Sequence, residues 1–283
     1  MKLSDSEIKA AVRHALNEDI GTGDVTSLAT VPRSAAFSVV MRAREPMVVV
    51  GIAFAVAAFK TLSRTVRIKT LARDGDILRP GATILRVAGP ARAILSAERV
   101  ALNFVQRLSG IATLTKHYTD AVSGTKAKIL DTRKTTPGWR RFEKYAVACG
   151  GGRNHRVGLF DMILIKDNHL AALRDAKPNA IAAAVVNARR LFPKLKVEVE
   201  ADTLEQVRQA TDARADIILL DNMSLGELRR AVKIVGPRAR TEASGGVNLK
   251  TVQDIAKTGV DFISVGALTH SARAVDIGLD HLG

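Results

Sequence analysis

The chain has 283 residues, 47% of them hydrophobic, which is enough for one large domain or two moderate ones with proper cores and too apolar for a disordered segment. Lys and Arg outnumber Asp and Glu by 43 to 28, and the formal net charge of +15 draws in anions, either nucleic acid or a small polyanionic substrate. Aromatics are only 4% and the basic residues are dispersed, without the stripe and interleaved rings of a nucleic-acid reader, so the expectation is a small polyanion and no nucleic acid.

The N-terminus, MKLSDSEIKAAVRHALNED, carries acids within its apolar pattern and lacks the apolar core of a signal peptide. No uncharged run approaches the ~20 residues that span a bilayer. From about Ala36 to Ala93, the runs AFSVVMRA, TVRIKTL and ATILRVAG alternate with RDGD and RPG turns, and GIAFAVAAFKTL is an apolar helical run. That stretch predicts an α+β domain with an antiparallel sheet. A long helix follows over ILSAERVALNFVQRLSGIATLTKHY, where Leu95, Leu102, Val105 and Leu108 recur at helical spacing. The single cysteine, Cys149, excludes an internal disulfide and a multi-cysteine zinc site, which suits a reducing cytoplasm; its simplest reading is a small buried thiol.

Beyond Lys126 strands alternate with helices. Strand candidates are AKILD, DMILIK, KVEVE, DIILLD, RTEAS and DFISVG, with helices beginning near Asn179, Thr203, Ser224 and Asn248. The later strand ends, Glu200, Asp221, Glu242 and Ser264, are spaced by 21 to 22 residues, one strand-plus-helix unit each. Such alternation implies a parallel sheet with right-handed crossovers, closed as a barrel or open and doubly wound.

Polar residues at nearly every strand end favour the barrel, because only there do all the C-terminal strand ends share one mouth. These ends carry Asp131-Thr132-Arg133-Lys134, Lys166-Asp167-Asn168, Glu198 and Glu200, Asp221-Asn222, Glu242 with Ser244-Gly245-Gly246, and Ser264-Val265-Gly266. Thr203 and Asn248 read more simply as helix N-caps. Glu198 and Glu200 alternate onto one side of their strand, where two carboxylates need cations, such as Lys166, or a metal. The turns EASGGV and SVGALTH follow the last two strands, the usual place for a phosphate cradle in a barrel. The triple glycine of ACGGGRNHR delivers Arg153, His155 and Arg156 together. So many cations beside carboxylates point to a phosphorylated sugar with Mg²⁺.

The motifs LDTRKTTPGWR, CGGGRNHRVGLFDMILIKDNH, VEVEADTLEQ, IILLDNM, EASGGVNL and ISVGALTHSA, preceded by SAERVALNFVQRLSGIAT, resemble those of the quinolinate phosphoribosyltransferase family. The likeness runs from NEDIGTGDVTS to the C-terminus. It implies an N-terminal α/β sandwich over residues 1–104, rejoined by 270–283, and an incomplete parallel α/β barrel of about seven strands over 105–269. Six strands are located above, and the seventh is expected between Phe142 and Ala148.

The resemblance also implies a homodimer, or a higher homo-oligomer, in which Arg99 reaches into the neighbour's site. Thr132, Arg133, His155, Arg156 and Lys166 would then hold quinolinate. Lys134, Glu200 and Asp221 would engage phosphoribosyl pyrophosphate, the two acids directly or through Mg²⁺. Ser244, Gly245, Gly246, Val265, Gly266 and Ala267 would cradle the phosphate. A paralogue accepting nicotinate or a molybdenum-linked substrate is the alternative on the same scaffold.

Overall fold

The computed structural model describes residues 1–282. Its first elements are α1 (Asp5–Ile20), α2 (Val25–Thr30), β1 (Ala36–Ala43), β2 (Met47–Val48), α3 (Ile52–Leu62), β3 (Arg67–Thr70), β4 (Ile77–Leu78), β5 (Thr83–Pro90) and α4 (Ala91–Ala121). There follow β6 (Lys128–Leu130), α5 (Arg140–Cys149), β7 (Ile163–Ile165), α6 (Asp167–Ala171), α7 (Ala180–Leu191), β8 (Val197–Ala201), α8 (Leu204–Asp212) and β9 (Ile217–Asp221). The last are α9 (Leu225–Val235), β10 (Arg240–Ser244), α10 (Val252–Ala256), β11 (Phe262–Ser264), α11 (Ala267–His270) and β12 (Ile277–His281). The chain divides into two units: Met1–Lys116 with Arg141–Gly151 and the residues from Ser271 onward, and His117–Arg140 with Gly152–His270.

The first unit holds an antiparallel sheet in the order β12-β1-β5-β3, with β2 and β4 forming a separate two-stranded ladder. β1 pairs with β5 from Ala36 opposite Pro90 to Arg42 opposite Thr83, and its other edge takes β12, Val39 opposite His281. α1 starts on a Ser4–Glu7 capping box and buries Ile8, Val12 and Leu16 at four-residue spacing, one stripe of a helix. The apolar α3 buries Phe54, whose ring stacks on Phe104 of α4 at 4.7 Å and meets Phe142 of α5 edge-on at 5.1 Å.

The second unit is built on an all-parallel sheet in the order β6-β11-β10-β9-β8-β7. Buried runs such as Ile218, Leu219 and Leu220 in β9 suit strands covered on both faces. Polar caps set the helix starts. Asn179 accepts the Ala182 N–H ahead of α7, while Thr203 with Gln206 and Ser224 with Glu227 form capping boxes ahead of α8 and α9. Asn248 departs from its expected role: its Oδ1 accepts the Lys250 N–H at 3.0 Å, making a local turn, and α10 starts only after Thr251. At the N-terminal strand ends, Asp216 accepts the Val197 N–H at 2.7 Å and Asp261 accepts the Thr241 N–H at 3.0 Å.

The seventh strand is not where it was expected. Residues 142–148 lie within α5, where Phe142, Ala146 and Val147 are buried at helical spacing. Arg153 takes that strand position instead. It bridges Leu130 in parallel, donating to the Ile129 carbonyl at 2.8 Å and accepting the Asp131 N–H at 3.1 Å. A single extended residue stands where a strand would close the sheet, so the barrel is incomplete. No helix among the described residues is long and apolar enough to cross a membrane.

Candidate active site

All six strands of the parallel sheet end at one cavity of about 740 Å³. Its lining includes Thr132, Arg133 and Lys134 after β6, and His155 and Arg156 just past the Arg153 bridge. Lys166 follows β7, Glu200 comes from β8, and Asp221 and Asn222 close β9. Glu242 and Ser244 to Val247 belong to β10 and its turn, while Ser264, Gly266, Ala267 and His270 complete the wall. Residues spread over more than a hundred positions thus meet in one concavity. Two of the expected site residues are not in this lining. The Val265 side chain is buried and its N–H is spent on the Leu130 carbonyl at 2.9 Å; Arg99 is an exposed residue of α4 in the first unit.

The cations are held in place by the loops that carry them. Arg140 donates to the Thr135 hydroxyl at 3.0 Å and to the Val157 carbonyl at 3.1 Å, bracing the loop that presents Arg133. Thr132 Oγ1 accepts the Lys134 N–H at 3.0 Å, and the Thr269 hydroxyl donates to the Lys134 carbonyl at 2.6 Å. Arg156 donates to the Met162 carbonyl at 3.1 Å. Burial first, then the nearby charge of Arg133, hold the Arg156 pKa below its ordinary value. The Nε atoms of both Arg133 and Arg156 are buried without a hydrogen-bond partner. Two neighbouring guanidinium groups with unspent donors are set to receive an anion.

The carboxylates fall into two kinds. Glu200 accepts a hydrogen bond from Lys166, and Asp221 accepts one from the Asn222 amide at 2.7 Å; both acids face the cavity. Glu198 and Glu242 are fully buried beneath them. Burial pushes the Glu198 pKa up, and burial together with the Glu198 charge pushes Glu242 up further. His155 joins this pair, its Nε2 lying 3.0 Å from Glu198 and 3.7 Å from Glu242.

The ligand atoms of these three residues lie within 4.8 Å of one another, which invites a metal. The histidine tautomer argues against one. The Arg156 N–H donates to His155 Nδ1 at 2.8 Å, so the ring proton belongs on Nε2, which is then a donor to Glu198 and not a ligand. Both ring nitrogens of His155 are therefore engaged by the protein.

The glycine turn after β10 is sterically enforced. A Cβ on Gly245, where φ is +95°, would stand 2.1 Å from Asn222 Oδ1 and 3.0 Å from the Asn222 nitrogen. Asn222 itself holds a left-handed φ of 54° and donates its N–H to the Ser244 carbonyl at 2.9 Å, which ties the ends of β9 and β10 together. A Cβ on Gly266 would meet His270 Nε2 and Lys134 Cδ, each at 3.1 Å, so these side chains border the second turn. Sequence reasoning did not single out His270, Thr269 or Arg140. The only available signal was a histidine four residues beyond Gly266, which any short helix can show.

Fold and site together define an α/β-barrel enzyme whose mouth is built to hold small acidic molecules. Family models for the C-terminal and N-terminal domains of quinolinate phosphoribosyl transferase match residues 111–280 and 24–109. The carboxylating nicotinate-nucleotide pyrophosphorylase of Mycobacterium leprae is 45% identical over 98% of this chain and 99% of its own length. The chloroplastic enzyme of that name from Arabidopsis thaliana is 44% identical over 96% of this chain and 82% of its own. The solved nicotinate-nucleotide pyrophosphorylase of Francisella tularensis superposes with a TM-score of 0.93 at 41% identity, covering 99% of this chain and 98% of that one. The chain belongs to the quinolinate phosphoribosyl transferase family.

Proposed function

We propose that the chain transfers the phosphoribosyl group of phosphoribosyl pyrophosphate to the ring nitrogen of quinolinate and releases one carboxyl group as CO₂, giving nicotinate mononucleotide and pyrophosphate for NAD biosynthesis. One observation carries the reading: Arg133 and Arg156 bring buried, unpartnered Nε donors to a cavity that also holds Lys166. Buried like charges call for a counter-anion, and a pyridine with two adjacent carboxylates supplies one for each guanidinium fork.

In this reading Arg133 and Arg156 orient quinolinate, with Thr132 beside them, and Lys166 exchanges Glu200 for a substrate carboxylate. His155, with both nitrogens engaged, fixes the Arg156 backbone and packs against the ring. A homodimer would add the partner subunit's Arg99 to the same carboxylates. Gly266 and Ala267, facing Ser244, Gly245 and Gly246, would receive the ribose phosphate on closely approached backbone, while the committed N–H of Val265 only holds that turn in place.

Glu200 and Asp221 present the oxygen donors that Mg²⁺ uses alongside substrate phosphates, so the residues fit the ion. Bound there, it would neutralise charge on the departing pyrophosphate. Lys134 serves the same leaving group as a point charge. As pyrophosphate leaves, C1 of the ribose gains positive character, which Glu200 and Asp221 favour by their charge. The oriented ring nitrogen then attacks from the opposite face. Ribosylation makes that nitrogen cationic, and it stabilises the electron pair left on the ring carbon when CO₂ departs. The single cysteine suits a reducing cytoplasm, where we place the reaction.

Incubation with quinolinate, phosphoribosyl pyrophosphate and Mg²⁺ is expected to yield CO₂ and nicotinate mononucleotide in equal amounts, and nicotinate offered instead is expected to give no product. Arg133→Ala should weaken quinolinate binding by about 1.5–3 kcal/mol with an unchanged melting curve. Absence of CO₂ release, or an unaltered quinolinate titration in that variant, would overturn the assignment.

A further inference from the structure

A second concavity of about 810 Å³ lies at the opposite, N-terminal end of the parallel strands. Lys126 lies ahead of β6, Arg240 opens β10, and Arg189, Arg214 and Arg238 complete a set of five cations around two acids, Asp216 and Asp261. Those acids are already occupied. Asp216 accepts from the Val197 N–H at 2.7 Å and from Arg189 at 3.2 Å. Asp261 takes the Thr241 N–H and hydroxyl on one oxygen, and divides the other between Lys126 at 3.1 Å and Arg240 at 3.0 Å. The cations therefore exceed what the local carboxylates satisfy.

Arg214 is the sharpest indication. It follows α8 at the position where a helix end turns left-handed, with φ of 60°, and the Ala215 N–H closes the turn on the Ala210 carbonyl at 3.0 Å. Glycine is the unstrained choice there. The chain places an arginine at that point, its guanidinium exposed and without a hydrogen-bond or ion-pair partner among the described residues, while its carbonyl accepts from Arg189. A strained backbone position that carries an unspent guanidinium on a cationic concavity favours a ligand-binding role over a structural one. No aromatic residue lines the cavity, so nothing offers a stacking platform for a nucleobase.

We propose that this concavity is a second anion site, separate from the catalytic cavity, which takes the condensed phosphate group of a small molecule through Arg214, Arg238, Arg240 and Lys126. Guanidinium forks on several sides of one hollow match tetrahedral phosphate oxygens, and a chain of two or three phosphates spans them. The site stands independently of the reaction assigned to the other end of the sheet.

The probe is inorganic triphosphate, titrated calorimetrically into the whole protein without divalent metal. Wild type is expected to bind two equivalents per chain, one at each end of the sheet. Arg214→Gly, which keeps the left-handed backbone at lower cost, should weaken one equivalent at least tenfold, and Arg214→Gly with Arg240→Ala should abolish it. Steady-state kinetics with both substrates should be unchanged in these variants. Lys134→Ala should weaken only the other equivalent. Arg13→Ala with Arg64→Ala, two exposed arginines of the first unit, removes the same charge elsewhere as a control. A single equivalent lost in Lys134→Ala, two equivalents untouched by Arg214→Gly, or equal weakening in the control pair would each overturn the proposal.

Discussion

A carboxyl group with no access to water ionises only at a cost, and Glu242 builds that cost into the pH dependence of the fold. Burial and the neighbouring Glu198 raise its pKa from 4.5 to about 8. Between those values the folded protein keeps a proton that the unfolded chain has lost, so stability falls as pH rises through the window and levels off above it. Glu242→Gln keeps the shape without the titration. Its melting temperature relative to wild type should therefore rise from pH 5 to pH 8, by the equivalent of about 1 kcal/mol or more. A constant difference between the two proteins across that range would show that Glu242 is not held protonated. The sequence shows Glu242 only as one more polar strand end; that it is sealed beneath the cavity depends on neighbours from four other segments.

At the scale of elements, the strand ends are joined in pairs, and the β9–β10 junction is the tightest. Asn222 and Gly245 occupy space that admits no further carbon. Gly245→Ala places a methyl group against Asn222 and demands a left-handed alanine, which together should cost about 1–3 kcal/mol. A lower melting temperature with a raised KM for phosphoribosyl pyrophosphate is expected, while quinolinate affinity, which depends on Arg133 and Arg156, should change little. An unaltered melting curve would remove the steric argument.

The same elements show how far periodicity reaches. Every strand expected from Lys126 onward formed, because apolar runs of that length between capped helices have few alternatives. The seventh strand could not be read, since Arg153 is extended by its hydrogen bonds to Ile129 and Asp131 and not by any β-rich run of its own. The short α6 and α11, and β12 pairing with β1 at the far end of the chain, likewise depend on partners distant in sequence.

For the whole molecule, the proposed dimer makes each site depend on two chains. Arg99→Ala and Lys134→Ala should each inactivate a pure homodimer. Mixing the two variants under conditions that exchange subunits leaves heterodimers with one site that is native at both positions, so activity should return to about a quarter of wild type. No recovery, with exchange confirmed by mass, would place Arg99 outside the partner's site. The net charge of +15 belongs to this scale as well. It speeds the encounter with acidic substrates and is screened by salt, so the second-order rate should fall with ionic strength faster than the turnover number.

The sequence by itself determined the alternation of strands and helices, the polar strand ends and the glycine turns, because these follow from local periodicity and backbone sterics. It also carried the family motifs, and with them the expected substrates. The tertiary structure alone decided that Arg133 and Arg156 stand together with unspent donors and that His155 is locked as one tautomer. It also decided that Glu198 and Glu242 are sealed from water and that Val265 has no free N–H to offer. Each of these is a matter of desolvation and of which distant group sits within about 3 Å, and no spacing along a chain encodes it.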